Sequence, residues 1–542
     1  MRQKKNIELP RLSTAIFTAA LLLAPLCFAT TARATCEDLA KFAVTDGKIT
    51  SAVAVAQTTA IPLTVLHVSL AAPLDFCRVA ATLTPTADSA IMTEVWLPDP
   101  AKWNGKFLGS GNGGFGGSLA GPAFDMRKAL AGGYATAGND LGHEITSLVI
   151  DGTWVIGHPE KVKDFAFRAD HATAEFAKAL IAAYYGRSPR LSYFKGCSNG
   201  GHEALMEAEK YPAEYDAIIA GAPANAWTHG MAGFLWNEIA LNDHPQSQIP
   251  QSKLAKIQNA VLAKCDALDG VKDGIINDPA ACHFDPAVLS CKSGDAPDCL
   301  THPQLDALRK IYGGPVNPAT GKTIHPGFPA GAEGLPQNWE TWIIGPKASQ
   351  GQFANQFFGS FMWGDAKWDY RSFDFAKDVD KADTELGPII NSNNPDLSAF
   401  AAHGGKLILY QGWADAAITP WATIQYYQNI QQKMGTDEAH RFVRLFMAPG
   451  MMHCGGGPGP NNFDAIAAID QWRDQNHAPE ILMAARYADP IAVLTGAPLG
   501  APLSTRPLCA YPKVARWVGK GSPDEAQNYT CGTAKAAKTA RP

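Results

Sequence analysis

The sequence predicts an α/β fold, a mainly parallel sheet with helices on both faces, divided by one large insertion. Three observations predict it. Short β-rich apolar runs alternate with stretches of helical apolar spacing over residues 76–220, and strand patterns return at 406–410 and 441–447. Between about 228 and 399 that alternation gives way to prolines, glycines, acidic turns, four cysteines and many aromatics. Within the first stretch, a strand, a sharp glycine-flanked turn and a helix follow one another from Leu191 to Lys210.

Residues 1–34 read as an export signal. Arg2, Lys4, Lys5 and Arg11 lie around and before a mostly apolar stretch at 15–29, and Ala32-Arg33-Ala34 is a small-x-small cleavage site. The mature chain then begins at Thr35, in a secreted or periplasmic protein. The apolar stretch is short for a bilayer and no other long uncharged one follows, so no stable membrane anchor is expected. Residues 35–227 and 400–542 are expected to form two parts of one catalytic domain, with 228–399 as a lid inserted between them. In the first part, 76–97 alternates apolar and polar residues, and Phe107-Leu108 is an apolar strand running into a glycine-rich loop. A helix at 165–185, a strand at 191–195, a helix at 201–210 and a buried strand at 216–220 follow. The second part supplies the strands at 406–410 and 441–447.

A formal net charge of −5 offers no cationic field for nucleic acid. Charged residues make up only 18% and there are 50 Gly and 38 Pro, which suits a loop-rich globular enzyme and not a coiled coil or a disordered chain. Removing Cys27 with the signal from eleven cysteines leaves ten, an even number suited to five disulfides in an oxidising compartment. Cys265 with Cys282, Cys291 with Cys299, and Cys509 with Cys531 sit at short separations where bridges would staple loops; none has the CxxC spacing of a zinc site.

Gly196-Cys197-Ser198-Asn199-Gly200 fits the GxSxG elbow of an α/β-hydrolase and stands where that motif must, between an apolar strand and a helix. A serine hydroxyl is a poor nucleophile at neutral pH and needs a histidine base, itself oriented by a carboxylate. α/β-Hydrolases run in the order Ser, acid, His. Asp415 follows the strand 406–410 in Gln411-Gly412-Trp413-Ala414-Asp415, and His453 follows the strand ending at Met447, in Pro449-Gly450-Met451-Met452-His453-Cys454. Each residue lies just past the C-terminal end of a strand, where open α/β sheets place their sites. Ser198, Asp415 and His453 are therefore the expected catalytic triad.

Cys197 precedes the expected nucleophile and Cys454 follows the expected base. If Ser198 and His453 come within hydrogen-bond reach, these neighbours come close enough to be bridged, tying the elbow to the histidine loop. An oxyanion hole needs two backbone N–H groups. Asn199 is the first by position, and the loop Gly109-Ser110-Gly111-Asn112-Gly113-Gly114-Phe115-Gly116-Gly117 supplies the second from Gly113 or Gly114. The stretch from Asp266 to Ile275 packs carboxylates into turns. It reads either as a calcium site, with side-chain oxygens of Asp266, Asp269 and Asp273 and the carbonyls of Val271 and Ile275, or as a solvated acidic loop. No organic cofactor is expected.

These residues resemble the tannase and feruloyl esterase family, marked by a CS…D…HC arrangement whose cysteines are bridged. Gly196-Cys197-Ser198, Gly412-Trp413-Ala414-Asp415 and Met452-His453-Cys454-Gly455-Gly456-Gly457 match it, as do Gly113-Gly114-Phe115-Gly116-Gly117 and Gly138-Asn139-Asp140-Leu141-Gly142-His143. The resemblance spans nearly the whole mature chain. It implies an α/β-hydrolase with a lid between Ser and Asp, a calcium site in that lid at the acidic segment, and cleavage of small-molecule esters of aromatic acids such as gallate or ferulate. It also implies the bridges Cys36 to Cys77, Cys197 to Cys454, Cys265 to Cys282, Cys291 to Cys299 and Cys509 to Cys531. The hydrolase of mono(2-hydroxyethyl) terephthalate belongs to the same family, so polyester fragments are the rival substrate class. A catalytically silent hydrolase-fold binding protein is the rival outside enzymes. In the expected lid, Trp339, Trp342, Phe353, Phe357, Phe358, Phe361, Trp363 and Trp368 offer aromatic surface on which a substrate ring could stack, most of it expected to be lid core.

Overall fold

The computed structural model describes residues 34–345 and 347–533. The expected export signal, apart from Ala34, lies outside the described residues. A nine-stranded sheet organises the chain: β1 (Gly47–Val55), β2 (Phe76–Leu83), β3 (Ile91–Pro98), β4 (Lys106–Ser110), β5 (Ala135–Asn139), β6 (Leu191–Cys197), β7 (Ala217–Gly221), β8 (Lys406–Gly412) and β9 (Val443–Ala448). Their spatial order is β1-β2-β3-β5-β4-β6-β7-β8-β9. The first four in that order pair antiparallel. From β5 onward through β4, β6, β7, β8 and β9 every pairing is parallel. The helices that bear on the site are α1 (Ala120–Ala131), α2 (Ala169–Tyr185), α3 (Asn199–Lys210), α4 (Trp227–Asn242), α5 (Leu254–Cys265), α6 (His302–Gly313), α7 (Ser349–Gln356), α8 (Pro420–Met434) and α9 (Ala465–Gln475).

The period of two along each central strand sorts its side chains into two cores. Phe107, Phe194, Ile218, Leu407 and Leu445 join Leu180 of α2, Leu205 of α3 and Ile430 of α8 on one face. Their neighbours Leu108, Tyr193, Ile219, Ile408 and Phe446 join Ile469 and Trp472 of α9 on the other. Burial on both faces is what makes these strands read as continuous apolar runs. The sequence pattern missed β5. Its residues Ala135 to Asn139 have low strand propensity because α1 packs tightly on it: a Cβ on Gly138 would lie 2.6 Å from the Pro122 Cβ. Arg441, expected in the last strand, belongs instead to a short helix, Thr436–Phe442.

The insertion between β7 and β8 has its own core, in which Leu241, Ile257, Leu305, Ile311 and Trp339 meet. It docks on the loop after β8 through directed hydrogen bonds. Asn338 Nδ2 donates to the Ala414 carbonyl (3.0 Å), Gln350 Nε2 to that of Ala416 (2.7 Å) and Thr419 Oγ1 to that of Gly327. Helix α4 starts at Trp227 and the helix Ser398–Ala402 ends the segment, so both expected boundaries fall at or within helices. Five disulfides join Cys36 to Cys77, Cys197 to Cys454, Cys265 to Cys282, Cys291 to Cys299, and Cys509 to Cys531. Among the described residues no helix is long and apolar enough to cross a membrane.

Candidate active site

Ser198 occupies the turn between β6 and α3 with φ 66° and ψ −122°, a conformation that ordinarily favours glycine. Close backbone packing imposes it. A Cβ on Gly196 would sit 2.2 Å from the Gly200 carbonyl oxygen, and one on Gly201 2.4 Å from that of Gly221, so only glycine fits at either flank. The Ser198 N–H donates to the Gly221 carbonyl at 3.0 Å, fastening the elbow to β7. The serine side chain is thereby aimed into the space above the sheet.

Asp415 is buried, and both of its carboxylate oxygens are spoken for. Oδ1 accepts from the N–H groups of Ala417 (2.8 Å) and Ile418 (2.9 Å), while Oδ2 accepts from His453 Nδ1 (2.9 Å) and Gln411 Nε2 (2.9 Å). Gln411 is in turn held by the hydroxyl of Thr423 on α8 at 2.9 Å. The other imidazole nitrogen has no hydrogen bond among the described residues, and the ring is met edge-on by Trp342 at 5.2 Å. The Cys197–Cys454 bridge brings the flanking Cα atoms to 5.9 Å. Ser198 and His453 line one cavity of about 390 Å³. No hydrogen bond joins them among the described residues; in free enzymes that contact is commonly longer than in the substrate complex.

The same cavity is walled by Trp227, Met231, Phe234, Trp342 and Phe353, and by Gly113, Gly114 and Asn199. Of the eight aromatics singled out in the sequence, it takes Trp342 and Phe353. Trp339, Phe357, Phe358 and Phe361 are buried in cores, Trp368 packs half-buried against one, and Trp363 is 37% exposed. Trp227, Met231 and Phe234 were not anticipated; their spacing on α4 places all three on one helix face. The glycine-rich loop divides its donors. The Gly113 N–H is taken by Asn112 Oδ1 at 2.9 Å, whereas that of Gly114 has no partner among the described residues. Gly114 has φ 58° and lies against Phe353. Phe115 anchors the loop by packing on Trp227, Phe353 and Phe361, with ring centroids 5.8, 5.1 and 5.4 Å away.

Beneath both donor segments lies Glu203, one turn into α3 and fully buried. Its carboxyl accepts from the Asn112 N–H (2.9 Å) and from Asn199 Nδ2 (2.8 Å), so one side chain ties the glycine loop to the elbow helix. Burial, and then the charge of Asp170, push this carboxyl well above the usual range, and burial pushes Asp170 up to about 7. Burial and the closeness of two like charges thus both favour the neutral form of these carboxyls. Glu203 stands four residues after Asn199, a spacing that the sequence displays without revealing the partners.

The acidic segment lies within the insertion, directly after α5. Asp266 accepts from the N–H groups of Asp273 and Gly274, Asp269 from that of Val271, and Asp273 pairs with Arg506 at 2.7 Å. Burial, with the charges of Asp273 and Asp266, pushes the Asp269 carboxyl up to about 6. Among the described residues no group of three His, Cys, Asp or Glu side chains converges as a metal cage. The donor set remains one of hard oxygens crowded with like charge, which suits calcium in its chemistry.

A family model described as tannase and feruloyl esterase matches residues 77–532. An uncharacterized esterase of Xanthomonas campestris pv. campestris is 39% identical over 495 residues, covering 84% of each chain. The mono(2-hydroxyethyl) terephthalate hydrolase of Piscinibacter sakaiensis is 32% identical over 499 residues, covering 80% of each. Among solved structures, feruloyl esterase B of Aspergillus oryzae superposes with a TM-score of 0.80 at 26% identity, over 92% of this chain and 99% of its own.

Proposed function

The chain belongs to the tannase and feruloyl esterase family and is a carboxylic ester hydrolase, and from that premise we propose that it cleaves esters of phenolic acids such as ferulate or gallate by a serine acyl-enzyme route. Ser198 attacks the ester carbonyl while His453 Nε2 takes its proton. Asp415 holds the Nδ1–H and supports the imidazolium that forms. The N–H groups of Asn199 and Gly114 receive the negative oxygen. As the tetrahedral intermediate collapses, the proton passes to the leaving alcohol; water then attacks the acyl-serine by the same route and frees the acid. Residues 228–399 act as the lid that supplies the acyl pocket.

One observation carries the phenolic assignment: the cavity shared by Ser198 and His453 is walled by Trp227, Trp342 and Phe353, flat rings against which an aromatic acyl group can stack. The rival substrate class is fragments of terephthalate polyester, favoured by the Piscinibacter relative. Purified protein should release acid from methyl ferulate or methyl gallate with a higher kcat/KM than from mono(2-hydroxyethyl) terephthalate. The reverse ranking would hand the assignment to the rival. A catalytically silent role is set aside by the family's activity together with the Ser198, Asp415 and His453 arrangement.

Calcium would be held by Asp266, Asp269 and Asp273 with the carbonyls of Val271 and Ile275, and it would stabilise the insertion without entering the reaction. At calcium a hundredfold above Kd, linkage gives about 2.7 kcal/mol of stability. EGTA should therefore lower Tm, and added calcium restore it; a melting curve indifferent to both removes the ion from the account. We further propose export to an oxidising compartment, which suits the five disulfides.

A further inference from the structure

Past the Cys197–Cys454 bridge the catalytic cavity opens into a second, larger cleft of about 850 Å³. The two spaces share Gly121, Asp125, His453 and the bridge, but the second is lined by neither Ser198 nor the oxyanion loop. It begins on the histidine side of the reaction centre. In acyl transfer the histidine gives its proton to the departing oxygen, so the alcohol half of an ester leaves past His453 while the acyl half stays with the serine and the oxyanion donors. The ring-walled cavity suits the acyl half. The cleft beyond the bridge is where a bulky alcohol half extends.

Its charge runs against that of an acidic protein. Lys128, Lys195 and Arg486 face it with one carboxylate, Asp125. Asp125 is bound to Lys195, which leaves the other two cations without it. Arg486 ends the strand Ile481–Arg486; its guanidinium has no ion-pair partner among the described residues, and its Nε is buried without a hydrogen bond. A desolvated guanidinium nitrogen with no acceptor is costly and rare unless a ligand supplies one. Lys128, on α1, is exposed at the cleft wall; desolvation by that wall, and then Lys195, hold it below the usual lysine range, with Asp125 and Asp464 opposing. Tyr487, Asn461 and Asn462 add hydroxyl and amide groups to the same wall.

We propose that this cleft is the alcohol subsite and that Arg486 and Lys128 select esters whose alcohol half carries a carboxylate. The proposal rests on the esterase reading of the Ser198 site and adds to it the chemistry of the leaving group. Arg486 offers a planar fork matched to a carboxylate, and Lys128 adds a point charge.

The test compares two ferulate esters, one of glycolic acid and one of its uncharged counterpart, glycolamide. Wild-type protein should favour the glycolate ester in kcat/KM by about tenfold, the size of one charge-assisted hydrogen bond. Rising salt should shrink that ratio. Arg486→Gln should bring it close to one, and Lys128→Gln, on a helix surface where folding is not at stake, should lower it by a smaller factor. A wild-type ratio of one, or a ratio that both variants leave untouched, overturns the subsite. Hydrolysis of neither ester overturns the esterase reading beneath it.

Discussion

Ser198→Ala should lower kcat on a phenolic ester by about a millionfold, the cost of removing a triad nucleophile, while the protein melts at the wild-type temperature. Alanine fits because the backbone strain at φ 66° is already borne by a residue with a Cβ. Ser198→Gly should be equally inactive yet more stable by about 1 kcal/mol, since glycine relieves a positive φ. Activity and stability thus separate at one position. Turnover of Ser198→Ala within a hundredfold of wild type would move the nucleophile elsewhere, and failure of a fluorophosphonate to label Ser198 would do the same.

Asp415→Asn should cost about 10⁴-fold in kcat with little change in KM. The reason lies in how the two oxygens are partnered. Oδ1 accepts from two backbone N–H groups, so an asparagine must keep its carbonyl there. Its NH₂ then takes the place of Oδ2, facing Gln411 Nε2 and His453 Nδ1. A donor now confronts Nδ1, the ring proton is driven to Nε2, and the nitrogen that should accept the serine proton is blocked. Adding Gln411→Glu, which supplies an acceptor opposite that NH₂, should remove the donor–donor clash but not rescue kcat. Near wild-type kcat in Asp415→Asn would mean that the acid does not set the tautomer.

Much of the fold and of the candidate site was legible in order along the chain. The central strands could be read because burial on both faces turns them into apolar runs. The elbow could be read because its glycines crowd into one short segment between a strand and a helix, although the contact that demands Gly201 comes from Gly221 on the next strand. β5 could not, since its small residues are there to admit α1 and give no strand signal. The loop expected to hold the oxyanion was visible as a glycine run, but only its hydrogen bonds distinguish Gly114 from Gly113, whose N–H is already given to Asn112. Trp342 and Phe353 looked no different in sequence from Trp339 and Phe357, which are core. Aromatic composition does not say which ring faces a cavity.

The sequence by itself determined the class of fold, the order in which Ser198, Asp415 and His453 follow its strands, and the cysteines that flank the serine and the histidine, because these follow from short motifs and from periodic burial. Tertiary structure alone decided that Glu203 braces both donor segments, that Gln411 shares Asp415 with His453, and that Lys128 and Arg486, 358 positions apart by their numbers, face one cleft. Contacts of that kind join residues with no common period or spacing, so their energies leave no pattern along the chain.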